Sequence, residues 1–367
     1  MLQYKGDNVR KISNLQTPLH NVCTFQMTMA LLNESDGNEQ ITISQAYQFC
    51  EEITKSASTS FLRSFKFLPG KKRLSVHALY AFCRKVDDIV DGDWLPDFSS
   101  MNENEMAALN ERSEYRAVAL TIERMCEPLN DDKNHFERVR ALLWFRDSLD
   151  LLEKKVIVNH PIFVALGDTI EKFPIRIQDL KSLIEGMEDD LFTTNYQSFE
   201  DLRSYCFKVA STVGLSMIEI YGYSNPDARE YAEEMGIFLQ MVNVLRDIQE
   251  DRERGRLYLP TGELEMFGIK PKEIEDADLA NSEKWKQFMK HYISRTKTHR
   301  NNALNLIPLI QTDSRKNLQM MCAVYSSILS EAEKRNGDIL SRRLQLGFIK
   351  RIGFALSSLG LWSISNK

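Results

Sequence analysis

Turn-forming residues are scarce in this chain. Only 16 glycines and 10 prolines punctuate 367 residues, too few for a protein built of many short strands and hairpins. Cysteine is as sparse. Cys23, Cys50, Cys83, Cys126, Cys206 and Cys322 are scattered, and none forms a CxxC or a Cys/His pattern. That excludes a zinc knuckle and a disulfide framework, and reads as reduced thiols in a reducing compartment. An excess of basic charge is also missing. The formal net charge is -5 and the pI about 5.8, so nothing global points to a nucleic-acid partner. No apolar run approaches the ~18 residues a membrane-spanning helix needs. The segment "VCTFQMTMALL" (22–32) is too short to span and lacks the flank of a cleaved leader. Neither a GxGxxG dinucleotide fingerprint nor a GxSxG nucleophile elbow is present.

What is present is helical periodicity. Apolar residues recur at three and four positions in "LLWFRDSLDLLEKKV" and "YAEEMGIFLQMVNVLRDIQ", which predicts an all-α fold. Residues 1–44 read as a loose N-terminal extension, 45–350 as one helical domain, and 351–367 as a C-terminal tail. "TISQAYQFCEEITK" predicts a first helix capped near Thr42 or Ser44. "FLPGKKR" (67–73) is a turn before a long helix. No linker divides the chain, and no repeat of 20–50 residues is visible.

Two acidic stations stand out against this background. "YAFCRKVDDIVDGDW" (80–94) packs Asp87, Asp88, Asp91 and Asp93 into seven positions. At 3.6 residues per turn Asp87 and Asp91 share a face. "NVLRDIQEDRERGRLYLP" (243–260) places Asn243, Asp247 and Asp251 at i, i+4 and i+8. A solvated acidic face is the plain reading of one such motif. Each station, however, continues a strongly apolar helix, where buried carboxylates need partners. Oxygen-only ligands on two helices suit a hard divalent cation, and Mg²⁺ favours few carboxylates with phosphate oxygens completing its shell. His77, His135, His160, His291 and His299 are dispersed and give no transition-metal cluster. Arg84 and Arg246 adjoin the stations, and Arg252, Arg254 and Arg256 follow the second. Arginine binds phosphate oxygens in bidentate fashion; for Arg252 and Arg254 ordinary surface charge is the favoured reading. Tyr258 either leans over the cavity mouth or simply packs.

These motifs resemble the squalene/phytoene synthases, head-to-head prenyltransferases of the all-α isoprenoid synthase fold. The resemblance spans about residues 47–350. It rests on both acidic motifs, "ASTSF" (57–61), "GMEDDL" (186–191), "YCFKVASTVG" (205–214) and "YSSILSEAEKRNGDILSRRLQL" (325–346), all in family order. It implies that Asp87, Asp91, Asn243, Asp247 and Asp251 hold Mg²⁺, or Mn²⁺ in its place. Ser58, Ser60, Arg84, Arg246 and Arg342 would contact diphosphate oxygens. Tyr80, Tyr205, Gln240 and Tyr325 would line the reacting centre, with Asp190 an extra acid beside it. Ala210, Val213 and Gly214 would either admit a prenyl tail or allow close helix packing. A few side chains at a tunnel floor, within 61–82 or 205–220, would set chain length.

The reaction implied ionises one prenyl diphosphate and joins its cation to the double bond of a second, through a cyclopropylcarbinyl diphosphate. Proton loss would give phytoene from two geranylgeranyl diphosphates, the favoured reading, or dehydrosqualene from two farnesyl diphosphates. Hydride from NADPH would give squalene, and water hydroxysqualene. NADPH is therefore expected only for squalene. Two rivals remain: another Mg²⁺-dependent terpenoid enzyme, and a non-catalytic relative serving in assembly, against which the intact acidic stations argue. The apolar tail "LGFIKRIGFALSSLGLWSI" (346–364) either lies on a membrane surface or packs as a last helix. The location expected is cytoplasmic or peripheral at a membrane; nothing in the sequence fixes an oligomeric state.

Overall fold

The computed structural model describes residues 40–56, 62–95, 132–193 and 195–344. In chain order these form α1 (Ile43–Ser56), a 3-10 turn (Leu62–Phe67), α2 (Gly70–Asp91), α3 (Asp132–Glu153), α4 (Pro161–Lys172) and α5 (Ile177–Phe192). Then come α6 (Phe199–Cys206), a π segment (Phe207–Ser211), α7 (Thr212–Tyr221), α8 (Ala228–Glu253) and α9 (Thr261–Met266). Two 3-10 turns lead to α10 (Glu283–Ala303), the short α11 (Leu306–Leu309) and α12 (Thr312–Lys334). Among the described residues no β-strand occurs; extended pairing is limited to two isolated bridges. The all-α expectation therefore holds. The N-terminal extension as far as residue 39, Ser58, Ser60 and the C-terminal tail lie outside the described residues.

Local chemistry sets the helix ends. Thr42 caps α1, as the sequence suggests: its hydroxyl accepts from the Gln45 N–H at 3.3 Å, and the Gln45 side chain accepts from the Thr42 N–H at 2.9 Å. This reciprocal pair satisfies two otherwise orphaned donors. Helix α2 buries Val76, Leu79, Phe82, Val86 and Ile89, a three-and-four spacing that keeps one stripe inward. Phe82 meets Phe145 of α3 at 5.6 Å and Phe163 of α4 at 6.3 Å between ring centroids. Burying each such ring stabilises the bundle by roughly 1.5–3 kcal/mol. The helix stops at Gly92, whose φ of 79° a side chain would strain and whose N–H reaches back to Ile89 O at 3.1 Å.

Helix α8 is the longest element, 26 residues or about 39 Å. It packs against α7, α10, α12 and the π segment. Gly236 allows the last of these contacts: a Cβ there would sit 2.3 Å from Ser211 Cα. Gly186 of α5 approaches Lys208 and Val209 from the other side in the same way. The π segment is thus wedged between α5 and α8. Its wider turn joins α6 to α7 without ending the helix, a feature that recurs near functional sites.

Candidate active site

Both acidic stations fall in the last turns of their helices, α2 and α8. A helix C-terminus carries partial negative charge, so carboxylates there are unfavourable without a cation. Station one illustrates how the chain answers this. Arg84 lies 3.1 Å from Asp87 and 2.7 Å from Asp88, and Lys85 lies 2.9 Å from Asp88. Asp88 is therefore held on its own helix. Asp91 reaches across instead: Arg254 pairs with it, and Arg256 approaches it at 3.3 Å. The expectation that Arg254 is ordinary surface charge is corrected by this pair. Gly255, with φ of 74°, turns the chain after α8 and returns these arginines to α2.

At station two, Arg246 forks onto its neighbour Asp247 at 2.8 and 3.0 Å and also donates to Tyr325. Arg343 reaches the same Asp247 carboxylate at 2.8 Å and pairs with Glu250. Arg342, the arginine expected to contact diphosphate, is exposed; its carbonyl accepts from Arg335 at 3.2 Å. The geometry thus brings Arg343 to the station and leaves Arg342 in solvent. Asn243 gives its amide N–H to Gln240 at 3.1 Å, and its Oδ1 is buried with no hydrogen-bond partner among the described residues.

Asp190 of α5 sits between the stations. Tyr205 donates to one of its oxygens at 2.8 Å and Tyr258 to the other at 2.7 Å. The Tyr205 and Tyr258 rings stack at 5.1 Å, and Tyr196 joins them. Tyr258 therefore does more than pack: it fixes Asp190. Burial lifts the Asp190 carboxyl to about 6, against the pull of Arg256 and both hydroxyls. Burial, then the charge of Asp91, raises Asp87 to about 6. Burial, then the charge of Asp247, raises Asp251 to about 7. The charge of Asp190 contributes to both of those shifts, so the three carboxyls lie near enough to sense one another. Burial also pushes the Tyr205 hydroxyl well above its ordinary range, which keeps its proton on at neutral pH.

Beneath the stations α2, α7, α8 and α12 enclose an apolar cavity of about 270 Å³. Tyr80, Gln240, Asn243 and Tyr325 line its upper part together with Cys83. Ala210, Val213 and Gly214 line its wall, and Gly214 also lets the helix approach the Ala232 carbonyl, where a Cβ would come within 3.0 Å. Close helix packing, one of the two sequence alternatives for these small residues, is thus seen at Gly214. The remaining thiols Cys50, Cys206 and Cys322 are buried and free.

The donor set fits a divalent cation. It is oxygen-only, it includes the partnerless Asn243 oxygen, and burial leaves Asp87 and Asp251 short of compensating charge. Among the described residues no three Asp, Glu, His or Cys side chains converge tightly enough to hold an ion unaided. That geometry suits an ion carried in with phosphate oxygens rather than a cage. Arg343 and Tyr196 were not legible as site residues; an Arg-Arg doublet beyond the last periodic helix was the sole sequence signal for the first.

The fold is that of the all-α terpenoid synthases. A dehydrosqualene synthase aligns with a TM-score of 0.66 at 22% identity, covering 87% of this chain and 96% of its own. A squalene synthase from Alicyclobacillus acidocaldarius aligns with a TM-score of 0.61 at 22% identity, covering 80% and 95%. The squalene/phytoene synthase family matches residues 54–350, and the protein belongs to that family. Similar relatives include the 15-cis-phytoene synthase of Synechocystis sp., 28% identical over 323 residues, 85% of this chain and 83% of the relative. The 15-cis-phytoene synthase of Synechococcus elongatus is 29% identical over 314 residues, 82% and 88% of the two chains. The protein is accordingly an enzyme of the prenyltransferase type. No helix of the described residues is long and apolar enough to cross a membrane.

Proposed function

We propose that the protein condenses two geranylgeranyl diphosphates head to head, through a cyclopropylcarbinyl diphosphate, to phytoene, with release of diphosphate. The observation that supports this most is the pair of carboxylate stations flanking Asp190 above an apolar cavity. Relatives named phytoene synthase favour the C40 product over a C30 one.

The residues divide the work. Asp87, Asp91, Asn243, Asp247 and Asp251 would hold Mg²⁺, or Mn²⁺, which when bound supplies Lewis-acid stabilisation of the leaving diphosphate. Arg84, Arg246, Arg254, Arg256 and Arg343 are near enough to exchange their present carboxylate partners for phosphate oxygens. The apolar wall keeps water from the carbocation. Tyr205 directs its proton at Asp190. A proton lost from carbon to the Tyr205 oxygen could pass its predecessor to the Asp190 carboxylate, while released diphosphate offers a second acceptor. Peripheral attachment to a membrane would suit an apolar product.

The test is a set of incubations of purified protein with Mg²⁺ and either geranylgeranyl or farnesyl diphosphate, with and without NADPH. Organic extracts are read by mass spectrometry. A C40 hydrocarbon formed without NADPH is the expected result. A C30 product instead moves the assignment to dehydrosqualene, squalene or hydroxysqualene. No head-to-head product from folded protein overturns it.

A further inference from the structure

The far end of the apolar cavity is closed by Tyr221, and the closure is polar from behind. The helix that runs from α6 through the π segment into α7 passes Tyr205, bonded to Asp190, and ends at Tyr221, sixteen residues or roughly 24 Å further on. Tyr221 lines the cavity and is 1% exposed. Its hydroxyl donates to Asn317 Oδ1, and the Asn317 amide donates to Ser64 Oγ; both partners are fully buried. Its carbonyl accepts from Lys72 Nζ at 2.7 Å. Lys72 in turn is fastened to Gln311, Asp313 and Ser314 at 2.8–3.2 Å. A ring resting only on apolar neighbours can yield to a longer ligand by changing rotamer. This one would have to leave a buried hydrogen bond unmade.

We propose that Tyr221, positioned by Asn317, is the stop that sets the longest prenyl chain the cavity accepts. The inference rests on the prenyl diphosphate reading of the site. Tyr221 and the facing Leu318 lie beyond both sequence windows in which the floor was expected; Phe65, also at the cavity, lies inside the first. The floor is a meeting of α7 with α12, which no local stretch could reveal.

The experiment compares kcat/KM for C15, C20 and C25 allylic diphosphates. Tyr221→Leu is combined with Asn317→Leu, so that neither of these two is left without the other, while Ser64 Oγ gives up the Asn317 donor. The C25-to-C20 ratio should rise about tenfold or more. Tyr221→Phe keeps the ring but removes the hydroxyl that anchors it to Asn317, so the ratio should rise by a smaller factor, about threefold. Met217→Trp fills the same cavity one turn above the floor and should lower the C20-to-C15 ratio by about tenfold; it serves if the double variant does not fold. Ratios unchanged in folded variants of an active enzyme would overturn the assignment of the stop. Wild-type protein inactive with all three donors would instead overturn the function on which it rests.

Discussion

At the scale of single residues, the site is a set of cations and anions waiting for a ligand. Asp247 draws Arg246 and Arg343, while Arg342, one position earlier, is exposed. Arg343→Gln should therefore lower kcat/KM by about a hundredfold, the scale of losing one charged donor at a developing anion. Arg342→Gln should stay within about twofold, as an exposed side chain would. Steady-state kinetics of the pair checks this directly. Family resemblance alone favoured Arg342, because both arginines follow α12 and a left-handed Gly337, where no periodicity assigns a face. By contrast, Asp87, Asp91, Asn243, Asp247 and Asp251 were legible, since i and i+4 on a helix point the same way whatever the tertiary fold.

Asp251 offers a stability test at the same scale. Its folded carboxyl titrates near 7 against an ordinary value of 3.8. The folded state thus binds a proton that the unfolded state lacks between about pH 4 and 7, and the ionised group is destabilising above that window. Asp251→Asn should stabilise metal-free protein at pH 8 by an amount on the order of 1–3 kcal/mol, seen as a higher melting temperature. The gain should shrink as the pH falls through 7 toward 5. Comparing variant with wild type at each pH cancels His160, whose burial-lowered value near 4 works in the opposite sense. Thermal melts across that range decide the matter, and an equal gain at every pH would contradict it.

Among elements, the crowded junction of α5, α8 and the π segment deserves the closest scrutiny. Three helical surfaces approach within the width of a missing Cβ at Gly186, Gly236 and Gly214. The atoms that a Gly236 side chain would meet are the backbone of Ala210 and Ser211, which cannot rotate aside. Gly236→Ala should cost about 1–3 kcal/mol or more by overpacking. It should also lower activity, because the π segment joins Tyr205 to the cavity wall. Gly255→Ala meets nothing in space and is strained only by its φ of 74°, so about 1 kcal/mol is expected. Chemical denaturation of both variants gives the comparison. Helix type and the order of helices were readable from apolar spacing. The π segment was not, because one inserted residue leaves no compositional mark, and its stabilising contacts come from residues of α5 and α8 that lie 19–26 positions away.

For the molecule as a whole, the governing fact is that two helix C-termini bring carboxylates to a common space beneath which the walls turn apolar. In the ligand-free protein Arg254 and Arg256 span from the end of α8 to Asp91 on α2. Arg254 is about half exposed, its side chain at 48%, whereas Arg256 is at 13%. The outer arginine is thus freer to swing toward an incoming phosphate than the inner one, which lies beside Asp190. Tyr258 and Asp190, 68 positions apart, meet only because that return places them together; the sequence alone left the tyrosine's role open. Charge balance then makes metal and anion binding interdependent: a cation at the stations frees the arginines, and a diphosphate takes them up. Calorimetry with Mg²⁺ and inorganic pyrophosphate should show each binding more tightly in the presence of the other. Cation binding also has to displace protons from Asp87 and Asp251, which titrate near 6 and 7. Affinity for the pair should therefore fall between pH 8 and pH 6, by up to about tenfold per pH unit for each proton displaced. Affinity that is flat across this range, or the same for each ligand with and without the other, would mean that the carboxylate stations are not where the cation is held.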